Sequence, residues 1–468
     1  ASKATGYPLA FIAAKLALGH SLPQLQNAIT QVTCADFEPA LDYVALKIPR
    51  WDLQKFRFVS EKVTSEMKSV GEVMALGRTF EEALQKAIRM LNIGSEGLYP
   101  VHLTFDDLNA EVKQSTPRRL FAIAEALKGA WTTDEVAIAT GIDLWFLERI
   151  RVCAEAHGQL ASGSKNIDPA LLHTVKRLGF SDRGIASIVQ TESDEVRGQR
   201  EAAGIRPVIK QVDTLAGEFP AKTNYLYMTY HGEEHDVSFE GEKERIIVLG
   251  GGPYSIGSSV EFDWCCVQAT HELQRQGYEV AMINSNPETV STDYDECDHL
   301  FFEELTEERV RDIAELLNTS GIVVSMGGQI PNSLAPKLSA ANLPILGTSP
   351  SDIDRAEDRH KFSSLLDELE VDQPEWNEFT ELDKAISFAS DVGFPVIVRP
   401  SYVLSGASMA VVHTDEDVSD YVSSSAFIDK EAPLVVSKFE IGAKEIELDG
   451  VAQKGKLLLY AISEHVEN

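Results

Sequence analysis

The apolar positions change their period along the chain. In residues 1–93 helical spacing in "LAFIAAKLALG" gives way to strand-like "DYVALKIP". It returns in "TFEEALQKAIRMLN". From 94 to about 237 the pattern is helical throughout. "RRLFAIAEALKGA", "TDEVAIATGI", "DLWFLERIRVCAEAH", "DPALLHTVKRLG" and "SDRGIASIVQ" each open near Asp, Ser or Thr, and several end at Gly. This pattern predicts a set of short capped helices. Past the polar stretch "FEGEKE" the texture becomes α/β. Buried-strand runs "RIIVLG", "YEVAMINS", "GIVVSMGG" and "LPILGT" alternate with helical segments at 260–275, 307–317 and 332–341. Such alternation predicts a parallel sheet. A helix over 351–368 then precedes "FPVIVRP", "SMAVVHT", "PLVVSKFE", "EIELDGVA" and "GKLLLYAISEHVEN". These lie close together and predict antiparallel pairing.

Composition narrows the field. The 468 residues suit about three domains, with 44% hydrophobic and 25% charged residues. The net charge of −31 argues against nucleic acid and against an anionic membrane surface as partners. Five cysteines, two of them adjacent and none in a CxxC pair, point to a reducing compartment rather than a disulfide framework. No apolar run approaches the length of a membrane span. The first residues lack a signal-peptide layout and have the spacing of a domain interior, so the chain reads as a piece of something longer.

"GGGPYSIGSS" (250–259) follows a strand and looks like a phosphate loop. In GxGxxG the third glycine falls on Ser255, and in GxxxxGK[ST] Ser258 replaces the lysine. Both patterns fail at a residue the mechanism needs. The loop is then either a tight strand-to-helix turn or the lining of a ligand crevice at the carboxyl end of a strand. Glu261 and Asp263, just beyond it, are expected to face that crevice.

A stronger nucleotide candidate lies in "VIVRPSYVLSGASMAVV". Arg399 ends a buried strand, and residues 401–407 offer small side chains and backbone N–H groups that can fold over a triphosphate. Arg359, in "AEDRHKFSSLL", is either a second guanidinium for the same phosphates or a surface residue paired along its helix. Downstream, Lys438, Glu440, Glu445, Glu447 and Asp449 fall close together. Glu445, Glu447 and Asp449 share one strand face, where they repel unless a cation sits among them or the face is solvated. His465 reads as structural.

Taken together, the strings "FEPALDYVALKIPRWDL", "MKSVGEVMALGRTFEEALQKA", "GSSVEFDWCC", "NPETVSTDYDECD", "SMGGQIPNSLA", "GTSPSDIDRAEDR" and "VRPSYVLSGASM", in this order, resemble the large chain of carbamoyl-phosphate synthetase over all 468 residues. The resemblance implies an α/β multidomain chain. Residues 1–93 would be the tail of a first ATP-grasp unit and 94–237 an all-α oligomerisation domain. Residues 238–345 would form a Rossmann-like pre-ATP-grasp domain, and 346–468 the start of a second ATP-grasp domain. It implies a ligase that makes carbamoyl phosphate from bicarbonate, ammonia and two ATP, with part of the carbamate-phosphorylating half in this chain. Arg359 and Arg399 match the family's nucleotide-contacting arginines. The loop from Ser401 to Met409, with Ser401, Ser405 and Gly406, matches its mobile glycine-rich loop, although "LSGAS" stands where some members carry a second Gly and an Arg. Lys438, Glu440 and Glu445 fall where the family contacts adenine and ribose, the first two through backbone. ATP with Mg²⁺ or Mn²⁺, and K⁺, are the implied cofactors. The metal ligands are expected beyond Asn468 and before Ala1, which leaves this piece incomplete for catalysis. A glutamine amidotransferase subunit or domain and a second copy, met through the helical domain, are the implied partners. Cytoplasm or mitochondrial matrix is the implied location, and arginine or pyrimidine synthesis the pathway. Against this stand three other readings: a biotin-carboxylase-like ATP-grasp ligase, a non-catalytic assembly module, and a nicotinamide oxidoreductase, which the missing third glycine disfavours.

Overall fold

A computed structural model describes residues 2–56, 59–101, 103–400, 409–424 and 433–466. The chain divides into two units, Ala1–Ser351 and Asp352–Asn468.

In the first unit, strands β1 (Val44–Arg50) and β2 (Gly71–Gly77) pair antiparallel, from Val44 opposite Gly77 to Arg50 opposite Gly71. The helix Phe80–Met90 follows, capped by Thr79, whose side chain accepts from Glu82 N. Helices Leu108–Lys113, Arg119–Lys128, Thr133–Thr140, Leu144–Ala161, Pro169–Arg177, Asp182–Val189 and Ser193–Ala202 then build the expected helical region. Their caps are those the sequence announces. Asp107, Thr132, Asp143, Asp168 and Ser181 each accept from an early backbone N–H, and Gly141 closes a helix at φ 73°. Leu84, Ile88, Phe121, Leu147, Ile150, Leu160, Val175 and Ile185 are among the residues of its core.

Strands β3 (Val208–Gln211), β4 (Tyr225–Thr229), β5 (Arg245–Leu249), β6 (Glu279–Asn284), β7 (His299–Phe302), β8 (Gly321–Val323) and β9 (Ile345–Leu346) form one seven-stranded sheet, in the order β3-β4-β7-β6-β5-β8-β9. Every neighbouring pair is parallel except β3–β4. Packing crosses two of the expected domain breaks. β3 and β4 lie before residue 237 yet belong to this sheet. Leu84 and Ile88, before residue 93, belong to the helical core.

Buried ion pairs join these layers alongside their apolar contacts. Lys86 bonds Glu303, and Arg89 holds Glu304 with bonds of 2.8 and 2.7 Å. Lys176 bridges Asp182 and Glu308, and Arg200 bridges Asp182 and Asp312. All of these cations are buried. Burial pushes the Glu304 carboxyl upward, but the charges of Arg89, Arg309 and Lys86 prevail and hold it below the ordinary carboxylate range.

In the second unit the expected helix over 351–368 is two helices, Pro350–Glu357 and Arg359–Glu368. Asp358 separates them, because its side chain caps the second by accepting from Lys361 N at 2.9 Å. Strands β10 (Trp376–Phe379), β11 (Val396–Pro400), β12 (Ala410–Val412) and β13 (Leu434–Lys438) make an antiparallel sheet in the order β10-β13-β11-β12. Helix Leu382–Val392 packs Ala385 and Ala389 with Val396, Val398 and Val436. Strands β14 (Ile446–Gln453) and β15 (Lys456–Glu464) form a separate antiparallel hairpin whose residues are exposed. Among the described residues no helix is long and apolar enough to cross a membrane.

Candidate functional site

Arg399 is the fourth residue of β11, opposite Val435 of β13. The apolar run "VIV" drives the strand into the core, and the guanidinium is carried in half-buried. Its Nε is buried without a hydrogen-bond partner. Arg359 is the first residue of its helix and is exposed. Burial first, and then the positive charge of Arg359, lower the pKa of Arg399. Arg359 is thus near enough for its charge to act on Arg399, and neither has an ion-pair partner among the described residues. Like charges at short range destabilise each other unless an anion lies between them. An arginine fork left half-buried and unpaired has the geometry to take a phosphate or carboxylate.

The remaining candidates divide. Ser401, Ser405 and Gly406 lie outside the described residues. Lys438 ends β13, and its Nζ donates to Gly393 O at 2.7 Å and Phe394 O at 3.2 Å. The ammonium thus secures the turn before β11, and Lys438 N donates to Glu375 O at 2.9 Å, so any ligand contact at Lys438 falls to its carbonyl. Glu440 is exposed just after β13. Glu445 flanks the hairpin strand β14. Its carboxylate meets His465 Nδ1 at 2.8 Å, while Glu447 meets Nε2 at 3.2 Å. The hydrogen bond to Glu447, and then the charges of both carboxylates, raise the imidazole pKa. The acidic face is exposed, and the cation paired with it is His465, in the structural role read for it from the sequence. The signal was present in the hairpin period, because a strand returning from Glu464 brings residue 465 opposite Glu445.

The glycine loop spends several of its amides inside the protein. Gly250 N donates to Ile283 O, Gly252 N to Asn284 Oδ1, Ile256 N to Asp52 Oδ2 and Ser258 N to Ser255 O. Those amides are already committed. The glycines serve close packing instead. A Cβ on Gly250 would sit 2.5 Å from the Asn284 side chain, and Gly252 has φ +68°. Asp263, expected to face a crevice, is buried and accepts from Val290 N and Ser291 N through Oδ2. Glu261 is exposed.

Among the described residues no three His, Cys, Asp or Glu side chains gather as a metal site.

Residues 72–204 match the oligomerisation domain of the carbamoyl-phosphate synthetase large chain. Residues 242–355 match the carbamoyl phosphate synthase preATP-grasp domain, and 358–462 the ATP binding domain of the carbamoyl-phosphate synthase L chain. The mitochondrial arginine-specific carbamoyl phosphate synthase large chain of Neurospora crassa is 52% identical over 475 residues, and its counterpart in Schizosaccharomyces pombe is 50% identical over 471. Each alignment covers 100% of this chain and 40% of the relative. Multifunctional protein ura1 of Schizosaccharomyces pombe is 51% identical over 100% of this chain and 21% of its own length. The chain belongs to the carbamoyl-phosphate synthetase large-chain family and spans two-fifths of the length of its arginine-specific relatives.

Proposed function

We propose that this chain is the middle portion of an ATP-dependent carbamoyl-phosphate synthetase. Residues 1–93 close the unit that forms carboxyphosphate, 94–237 provide the oligomerisation domain, 238–345 the pre-ATP-grasp domain, and 346–468 open the unit that phosphorylates carbamate. The observation that carries the reading is the unpaired couple Arg359–Arg399. Phosphoryl transfer needs positioning and charge neutralisation rather than a covalent nucleophile. Arg399, held by a buried strand, supplies a fixed fork for the phosphates of the second ATP, and Arg359 supplies a second charge from a helix start. Ser401, Ser405 and Gly406 would close over those phosphates. Lys438 and Glu440 through their backbone, and Glu445, would hold adenine and ribose.

On the same reading the whole enzyme uses Mg²⁺ or Mn²⁺ with ATP, and K⁺ beside it. Ammonia comes from a glutamine amidotransferase subunit or domain. A second copy docks through the helical domain. The mitochondrial matrix or the cytoplasm is the location, with arginine or pyrimidine synthesis downstream. Calorimetric titration of the full-length chain with ATP tests the assignment. Wild type binds nucleotide at two sites, and Arg399→Ala leaves one, the lost site weakened at least about tenfold as expected for a charge-assisted hydrogen bond. Two unaltered sites in Arg399→Ala would refute it.

A further inference from the structure

The glycine loop is gripped from outside. Both backbone polar groups of Ile256 are taken by residues about two hundred positions earlier. Ile256 N donates to Asp52 Oδ2 at 2.7 Å, and Lys55 Nζ donates to Ile256 O. Asp52 is 1% exposed, and its other oxygen accepts from Arg50 Nε at 3.1 Å. One buried carboxylate thus joins the end of β1 to the middle of the loop. Nearby, the backbones touch. A Cβ on Gly71 would lie 2.6 Å from Tyr254 O and 3.0 Å from Tyr254 Cβ. Met74 N of β2 donates to Ser285 O, just past β6, at 2.9 Å.

The inner side of the same loop is fixed by Asn284 and Asn286, which bond Gly252 N and Gly252 O. Between these two grips, at Gly252 and Ile256, lie Pro253, Tyr254 and Ser255, and Gly257 follows with φ +86°. The loop leaves the carboxyl end of β5, where parallel α/β sheets place their ligands. A carboxylate on Ile256 N and an ammonium on Ile256 O fix the loop to the β1–β2 segment, so the position of one depends on that of the other.

We propose that Asp52, with Lys55 beside it, is a positioning residue that clamps the glycine loop through Ile256 and couples the two ATP-using halves of the enzyme. This rests on the assignment of residues 1–93 and 238–345 to different halves. Neither residue touches reacting atoms; both act through the loop.

The test uses the full-length enzyme carrying Asp52→Ala or Lys55→Met. Four quantities are measured: carbamoyl phosphate formation, bicarbonate-dependent ATP hydrolysis, ATP synthesis from ADP and carbamoyl phosphate, and thermal unfolding. The clamp predicts that overall synthesis falls by about tenfold or more, the scale of a small misplacement away from the chemistry. Both partial reactions stay near wild type, so ATP consumed per carbamoyl phosphate rises. Lys55→Met gives the same direction and covers the case in which Asp52→Ala does not fold. An unchanged ratio of ATP to product, or an equal fall in all three rates with the melting temperature, overturns the proposal and leaves the enzyme assignment intact. A wild-type enzyme that makes no carbamoyl phosphate would instead remove the assignment itself, and the coupling role with it.

Discussion

Arg89→Met is the most demanding test of how this chain holds its layers together. Arg89 Nε and Nη2 clasp both oxygens of Glu304 at 2.8 and 2.7 Å, and Nη1 donates to Gly179 O at 2.8 Å and Glu96 O at 3.2 Å. Arg89 is 7% exposed and Glu304 2%. The substitution keeps an apolar chain of similar length and strands a buried carboxylate, so it should cost about 3–5 kcal/mol. Replacing both partners, Arg89→Met with Glu304→Met, removes the orphan charge. The double variant should then cost only about 1–3 kcal/mol, mainly for the carbonyls of Gly179 and Glu96 left without a donor. Urea unfolding followed by circular dichroism gives the three midpoints, and the cycle yields the pair's coupling.

Acid provides an independent check. The folded pKa of Glu304 is depressed, so the pair's stabilisation is whole above the unfolded value of about 4.3 and is lost as pH falls through the lower folded value. In Arg89→Met burial dominates, the carboxyl rises, and its protonation relieves the penalty as the solution is acidified. A penalty below about 1 kcal/mol at pH 7 would refute the ionic account, since that is the range of an exposed pair. So would a double variant no better than the single.

Further outcomes follow from the same geometry. Gly250→Ala puts a Cβ 2.5 Å from Asn284 and should cost about 1–3 kcal/mol in unfolding, whereas Gly277→Ala, whose Cβ meets nothing within 4 Å, pays only for its φ of +96°. His465 should titrate by NMR above its ordinary value of about 6.5 and return toward it in Glu447→Gln. Its folded pKa is raised, so any stability it lends the hairpin is present below about 6.5 and is lost as pH rises through the folded value. Burial pushes the Cys297 thiol up to about 12 and raises those of Cys153 and Cys266 as well. A disulfide reagent at pH 7.5 should therefore modify exposed Cys34 in the native chain and spare those three until it unfolds.

How much of this was legible in the sequence depends on where each signal lies. β5 and β6 read directly, because parallel strands covered on both faces are unbroken apolar runs. "HLFF" of β7 is too short to announce itself, and "YLYMT" of β4 finds its neighbour β7 more than seventy residues later. The helix Phe80–Met90 was legible as a helix but not as a buried one. Glu81, Glu82, Lys86 and Arg89 look like a solvated face until Glu303 and Glu304 arrive from two hundred residues away. Asp358 hid a break because a single capping residue within a helical period resembles any other polar position.

The site shows the same division. Arg399 could be singled out because a charge at the end of a buried strand needs an explanation. The loop's departure from both phosphate motifs could be read from Ser255 and Ser258. That Asp52 and Lys55 consume the Ile256 peptide could not, since no local pattern connects residues so far apart. Nor could the engagement of Lys438 with Gly393 and Phe394.

The central claim is that Arg359 and Arg399 form the phosphate site of the carbamate-phosphorylating half. The most direct measurement is ATP synthesis from ADP and carbamoyl phosphate by full-length Arg399→Ala, set beside bicarbonate-dependent ATP hydrolysis by the same preparation. The site predicts loss of the first by about a hundredfold or more, with the second retained. Equal loss of both, or retention of both, would contradict it.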